Sequence, residues 1–184
     1  VARPLQTAMR VFGRIGEGHY DNRITTDRRD EIGALLRALD AMQTSLATRT
    51  EADARMANEA LRIKRALDKA STNMMVADKD GRIVYMNDAV TAMMRHAEDA
   101  MRQELPGFRA DGLLGSHFDD FHRQPARQRS LLDSLEGTHH SQVRIGGRTF
   151  ALIANPVIDG DGERLGTVVE WSARTAEVAA EEEL

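Results

Sequence analysis

The chain contains no cysteine, and this absence excludes a disulfide framework, a zinc–thiolate site and a cysteine nucleophile. The absence also fits a reducing compartment, so we expect a cytoplasmic location. The chain lacks a signal peptide and any apolar run long enough to span a bilayer. It begins at Val1 and not at a methionine. We therefore expect a fragment of a longer protein, one that can be anchored in the inner membrane.

Charge and composition exclude further classes of protein. The formal net charge of -4 at pH 7 does not favour binding to nucleic acid. No paired carboxylates, nucleophile–base pair or phosphate loop stands in a convincing context, so we expect no enzymatic activity. The charged share of 29% is slightly high, which we interpret as exposed helix because the apolar residues stay periodic. The length of 184 residues allows one or two domains.

Two heptad patterns, separated by a glycine-rich break, occupy the first fifty residues. The first apolar seam is Leu5, Ala8, Phe12 and Ile15, and the second is Ile32, Leu35, Leu39, Met42 and Leu46. Gly16 and Gly18 end the first helix, and Ile24 is the apolar anchor of the connector. Asp30 and Glu31 suit the first turn of the second helix. Two short helices cannot bury such narrow seams alone, so we expect a parallel four-helix bundle in a homodimer.

Residues 1–50 resemble a HAMP domain, the relay that follows membrane segments in bacterial receptors. The likeness lies in Pro4-Leu5, in the exit from Gly16 to Gly18, and in Asp30-Glu31-Ile32-Gly33. A generic coiled coil is the alternative, but it would not need the glycine-rich connector. Residues 51–70 continue as a charged, alanine-rich heptad pattern, so we expect a stiff coiled-coil linker helix there.

From Met74 the apolar pattern changes from helical to strand-like. Strands are predicted at 74–77, 82–87, 141–145, 149–157 and 165–171, and a helix at 89–96. Asp80-Gly81 is a hairpin signal between the first two strands. Two strands, several helices and three strands predict an α+β domain with a five-stranded antiparallel sheet. We assign it to residues 71–175, and residues 176–184 to the start of an output helix.

This second half resembles a PAS domain. The likeness lies in the turn Ala77-Asp78-Lys79-Asp80-Gly81, in Tyr85-Met86-Asn87 and in the last three strands. Phe121-His122, Gln124-Pro125-Ala126 and Glu170-Trp171 are similar to the haem-binding PAS domains of aerotaxis-type methyl-accepting chemotaxis receptors. This resemblance implies signal transduction by sensing oxygen or another diatomic gas, with haem b as the cofactor. It also implies a downstream kinase-control module, a chemotaxis kinase and an adaptor as partners.

The resemblance to haem-binding PAS domains also implies the residues of the site. His122 is the axial ligand of the haem iron, and Trp171 donates a hydrogen bond to the gas, because an indole can only donate. The pocket walls are Leu113, Leu114, Phe118, Phe121 and Leu132 on the helical side, with Val143, Leu152, Val169 and Trp171 on the sheet. Other histidines stay open as ligands: His96, His117, His139 and His140. Trp171 can instead serve core packing.

Ala173 departs from the family pattern. PAS domains of this type commonly end with Asp-x-Thr, which ties the last strand to the output helix, and here Ala173-Arg174-Thr175 stands in its place. We therefore expect gas binding to survive and signal transmission to fail or to lock in one state. Two other functions stay open, a flavin-binding redox sensor and a ligand-free dimerisation module.

Overall fold

The computed structural model of the protein describes residues 2–121 and 125–174. Tertiary contacts divide the chain into two compact units, residues 1–63 and 64–184. Helix α1 covers Ala2–Gly16, and helix α2 covers Glu31–Asp68 without interruption through most of the predicted linker. None of the helices in the described ranges is both long and apolar enough to cross a membrane.

The apolar core of the first unit forms between α1 and the first part of α2. It consists of Ala8, Val11, Ile15, Leu36 and Leu39, with Tyr20, Ile24, Ile32 and Leu46 packed against it. Ile24 therefore anchors the connector, as the sequence predicts. Four residues of the predicted seams lie outside this core and are exposed: Leu5, Phe12, Leu35 and Met42. A heptad seam marks every contact of a bundle, whereas one helix pair buries only the sides that face each other.

Polar contacts fix the connector between α1 and α2. Buried Gln43 accepts hydrogen bonds from the backbone N–H and the side-chain amide of Asn22, at 3.0 and 2.8 Å, and donates to the Asn22 carbonyl at 2.7 Å. Asp30 accepts a hydrogen bond from the Gly33 N–H at 3.0 Å and so caps α2. Hydrogen bonds from the Arg28 guanidinium and from Gly33 lower the pKa of Asp30 to about 2. The acidic start of α2 is thus an N-terminal cap.

The second unit is built on a five-stranded antiparallel sheet with the strand order β2-β1-β5-β4-β3. The strands are β1 Asn73–Asp78, β2 Ile83–Met86, β3 His139–Ile145, β4 Arg148–Ile158 and β5 Arg164–Ala173. Between β2 and β3 lie helix α3 Asp88–Arg102, the short 3₁₀ segments η1 Ala110–Gly112 and η2 Phe118–Phe121, and helix α4 Pro125–Asp133. The predicted α+β class and all the predicted strands are confirmed.

Helix α3 packs its apolar stripe against the sheet. Val90, Met94, Ala97 and Met101 are buried at helical steps of four, three and four residues. They share one core with Phe108, Leu113 and Phe150, among others. The helix is longer than the predicted 89–96, because Ala97 and Met101 continue the stripe beyond His96. This extra turn brings Met101 to the site described below.

Asn87 holds the end of α2 against the start of α3 within the second unit. Its side chain is fully buried. The carbonyl oxygen accepts from the Met74 and Val90 N–H groups at 3.0 and 3.1 Å, and so caps α3. The amide donates to the Thr72 carbonyl at 2.7 Å and to the Leu67 carbonyl at 3.2 Å. One side chain therefore satisfies backbone groups of three neighbouring segments.

Replacing Asn87 with alanine is expected to destabilise the second unit by on the order of 3 kcal/mol, because several buried backbone groups lose their partner together. Urea unfolding followed by the fluorescence of Trp171, the one tryptophan of the chain, measures this unit. Asn155→Ala is the matched control, since the Asn155 side chain accepts an exposed hydrogen bond from Thr138 at 2.6 Å. Equal losses in the two variants would contradict the role given to Asn87.

Candidate functional site

A cavity of about 560 Å³ lies between one face of the sheet and the segment from α3 to α4. Its volume lies within the range of roughly 300–1,000 Å³ that is common for cofactor and small-molecule sites. The predicted pocket residues that line it are Leu113, Phe118, Phe121, Leu132, Val143, Leu152, Val169 and Trp171. The helical and sheet faces chosen from the sequence therefore enclose one space.

Leu114 is the predicted pocket residue that does not line this cavity. Its side chain is 60% exposed, whereas that of Leu113 is 3% exposed. The two leucines are consecutive in the turn that follows η1, so they point to different sides of the chain. The prediction for Leu114 is therefore corrected, and Leu113 supplies the apolar contact at this point.

Several wall residues were missed by the reasoning from sequence. They are Met75 and Ile83 on the sheet, and Met94, Met101, Leu105 and Phe108 on the helical side. The apolar stripe of α3 carried a signal for Met94 and Met101, but methionine at helical spacing also fits ordinary core packing. Only the position of α3 over the sheet shows that its stripe borders a cavity.

Trp171 combines wall and core contacts on β5. It lies opposite Leu152 of β4, and its ring meets that of Phe150 edge to face, with the ring centroids 5.9 Å apart. The Asn73 side chain donates to the Trp171 carbonyl at 2.9 Å, which fixes the backbone at this end of the strand. The indole Nε1 is buried, and no hydrogen-bond partner for it lies among the described residues. A buried donor without a partner calls for an explanation, and a ligand that accepts a hydrogen bond at the cavity wall would provide one.

Thr167 is a second polar residue of the cavity wall on β5. It is 1% exposed, and its hydroxyl also lacks a hydrogen-bond partner among the described residues. Thr167 lies four residues before Trp171, so the two side chains share a face of the strand about 13 Å apart along it. The sheet wall thus carries polar atoms at two separate points.

The histidines occupy different environments. His122 lies outside the described residues, so its predicted role stays a prediction. His96 and His140 are exposed, and His139 lines the cavity at the start of β3. Both ring nitrogens of His117 are engaged, since Nδ1 accepts from the Asp119 N–H at 3.1 Å and Nε2 lies against the Asp80 carbonyl. Among the described histidines, His139 is therefore the one placed to reach a cavity ligand.

The edge of the cavity along β3 is polar. Ser141, Gln142 and Arg144 line it although their side chains are exposed, so the cavity opens to solvent at this edge strand. Glu104 lies at the same opening and accepts a hydrogen bond from the Gly146 N–H at 2.9 Å. The site therefore has an apolar interior and a mouth that carries charges of both signs.

Comparisons with known proteins agree with this architecture. Residues 1–48 match the model of the HAMP domain and residues 61–129 that of a PAS domain. The chain is 44% identical over 150 residues to the methyl-accepting chemotaxis protein McpB of Pseudomonas aeruginosa, a match that covers 80% of this chain and 22% of that protein. It is also similar to a structure of the Aer2 receptor from Vibrio cholerae, reported as a dual PAS-haem oxygen sensor. That match has 35% identity and a TM-score of 0.50, and covers 55% of this chain and 93% of the other.

The chain belongs to the PAS family of sensor domains, here preceded by a HAMP domain. The HAMP and PAS regions together form a signalling module of the sensor type. The chain spans about a fifth of the length of the curated receptor that it matches, 22%.

Proposed function

We propose that the chain senses oxygen, or another diatomic gas, through haem held in this cavity, and that it passes the signal on within a chemotaxis receptor. The observation that carries this proposal is the buried indole Nε1 of Trp171, which lacks a partner among the described residues at the cavity wall. A small ligand that accepts a hydrogen bond there would remove the cost of the unpaired donor. The 35% identity to the Aer2 structure, reported as a PAS-haem sensor, supports the same cofactor.

The cavity fits haem b by its chemistry. Haem is a flat apolar ring with two carboxylate groups, and the cavity joins apolar walls to an open mouth where Arg144 and His139 lie. Bound haem supplies an iron atom that binds diatomic gases. The apolar walls would exclude water from the ring, and Trp171 presents its N–H from the sheet. His122 is proposed as the axial ligand, with His139 as the competing candidate.

An absorption spectrum of the purified protein tests this proposal. Haem gives an intense Soret band that shifts when the reduced protein meets oxygen, and we expect this result. A flavin spectrum with flavin fluorescence would replace the proposal with redox sensing. Purified protein that takes up neither added haem nor added flavin would favour the remaining alternative, a PAS domain that binds no ligand and serves in dimerisation.

The receptor context extends the proposal to partners. We propose a homodimer, which the exposed apolar residues of the heptad seams support: Leu5, Phe12, Leu35 and Met42. We place the module on the cytoplasmic side of a receptor that regulates a chemotaxis kinase through an adaptor, and the identity to McpB supports this context. Cross-linking of the purified chain, with a single cysteine introduced at Phe12, tests the homodimer.

Restoring the family's aspartate with Ala173→Asp is expected to recover oxygen-dependent kinase control in the full receptor. Ala173 is the last residue of β5 and is exposed, and the next residue, Arg174, donates its N–H to the Thr149 carbonyl at 2.8 Å. A carboxylate at this point can accept hydrogen bonds that an alanine cannot, so the end of the strand gains a state-dependent contact. Kinase activity of reconstituted receptor with and without oxygen is the measurement. If the present sequence already switches the kinase as well as the Ala173→Asp variant, Ala173 does not impair signal transmission.

A further inference from the structure

We propose that Asp119 is a positioning residue that holds the helical wall of the cavity together through a buried charge contact with Arg129. This inference rests on the proposed haem function. Phe118 and Phe121 of η2 line the cavity, and so do Leu131 and Leu132 of α4. Asp119 belongs to η2 and Arg129 to α4, so their contact joins the two parts of the wall.

The Asp119 carboxylate is buried although it carries a charge. Its side chain is 12% exposed, and both oxygens are inaccessible to solvent. The Arg129 guanidinium contacts one of these oxygens from a side chain that is 59% exposed. Burying an unpaired carboxylate is costly, whereas pairing it with a guanidinium offsets much of that cost. Removal of Arg129 therefore leaves a buried negative charge inside the wall.

His117 fixes the other side of Asp119. Its Nδ1 accepts from the Asp119 N–H at 3.1 Å, and Nε2 lies against the Asp80 carbonyl. Nδ1 also lies 3.3 Å from the Asp119 carboxylate. Of these two contacts of the carboxylate, with His117 and with Arg129, the one with Arg129 is made by a side chain that is always charged.

The turn between β1 and β2 completes the anchor of η2. The Phe118 N–H donates to the Gly81 carbonyl at 3.0 Å, and the His117 ring stacks on Phe118 with the centroids 4.9 Å apart. Gly81 has a φ of 91°, and a Cβ atom there would lie 2.0 Å from the Phe118 ring. η2 is thus fixed to the sheet, and Asp119 extends this fixed point to α4.

Asp119 acts on the cofactor only through the wall. The proposed ligand His122 lies between η2 and α4 in the sequence. The Asp119–Arg129 contact therefore joins the two elements that flank it in the chain. Groups that orient a metal ligand from outside its coordination sphere change metal affinity by about 10- to 100-fold when they are removed. We expect an effect of that size on haem retention from the loss of the Asp119–Arg129 contact.

The experiment uses the full chain loaded with haem. Arg129→Gln and Asp119→Asn are expected to speed the transfer of haem to an excess of apomyoglobin by about 10- to 100-fold, and to change the spin-state bands of the ferric spectrum. Arg129→Lys, which keeps the positive charge, should restore most of the retention. Asp111→Asn is the matched control, because Asp111 pairs with Arg95 on an exposed surface, at 3.0 Å, away from the cavity lining.

The double variant Asp119→Asn with Arg129→Gln separates positioning from general loss of stability. It should retain haem no worse than Arg129→Gln alone. Either single substitution already removes the contact, so the second adds no further loss, and the double variant leaves no buried unpaired charge. If haem retention and spectrum in the single variants match those of Asp111→Asn, the inference is overturned while the haem function stands. If the unaltered chain takes up no haem, the proposed function itself fails.

Discussion

Protein in which His122 is replaced with alanine is expected to retain little or no haem, while the second unit keeps its fold. The iron would lose its axial bond to the protein, and only apolar contacts with the ring would remain. Haem content after reconstitution, measured as haem per mole of protein by the pyridine haemochrome spectrum, gives the result. Urea unfolding of the haem-free protein, followed by Trp171 fluorescence, checks that the fold is intact.

His139→Ala is the decisive companion variant. His139 lines the cavity, so it competes with His122 for the iron on position alone. We expect His139→Ala to keep most of its haem, with a moderate loss if the imidazole contacts a haem carboxylate at the mouth. His140→Ala serves as the control, since His140 is the exposed neighbour on the same strand. Full haem content in His122→Ala together with loss in His139→Ala would move the axial ligand to β3.

Trp171→Phe is expected to raise the rate of oxygen release by at least about tenfold. The substitution keeps most of the apolar volume and the ring contact with Phe150, and it deletes the buried Nε1 donor. A hydrogen bond to a polar, partly charged ligand contributes about 1.5–3 kcal/mol, which corresponds to at least about a tenfold change. Stopped-flow release of oxygen from the reduced, gas-saturated protein measures the rate.

Carbon monoxide and Thr167→Val provide the controls for this result. Carbon monoxide accepts hydrogen bonds poorly, so its release should change much less in Trp171→Phe. Thr167→Val deletes the hydroxyl that, like the Trp171 indole N–H, lacks a partner among the described residues, at nearly constant volume and four positions away on β5. We expect a small effect on both gases, because Thr167 lies about 13 Å along the strand from Trp171. Equal acceleration of both gases in Trp171→Phe would show that the indole acts by packing or access.

Much of the architecture could be predicted because its signals are local. Asp30 at the start of α2 and Asn87 at the start of α3 are short polar residues placed to cap a helix, and the structure shows both doing so. The alternation in Phe150, Leu152 and Ala154 predicts a shared strand face, and Leu152 and Ala154 do line the cavity together. Phe150 is fully buried and does not line the cavity, and its ring meets that of Trp171 edge to face.

Other features depend on distances between segments that the sequence does not encode locally. The heptad pattern of α1 and α2 predicts which positions are apolar, but it does not predict which of them the other helix covers. Leu5 and Phe12 belong to the predicted seam and are exposed, whereas Val11, which lies outside that seam, is buried. Two consecutive leucines in a turn show no periodicity that tells which of them faces the core. For this reason the sequence predicts both Leu113 and Leu114 in the pocket, whereas only Leu113 lines the cavity. His139 could not be ranked above His140 until the register of β3 was known.

The sequence by itself determined the α+β class, the strand segments and the apolar faces, because each follows from periodicity and turn chemistry over a few residues. The resemblance of its motifs to haem-binding PAS domains led to the proposal of Trp171 and His122 as site residues. Only the tertiary structure decided that α3 closes a cavity over the sheet, that Trp171 Nε1 and Thr167 Oγ1 are buried without partners among the described residues, and that Asp119 meets Arg129. Those features arise where segments far apart in the chain pack together, and burial, unlike periodicity, belongs to the packed arrangement as a whole.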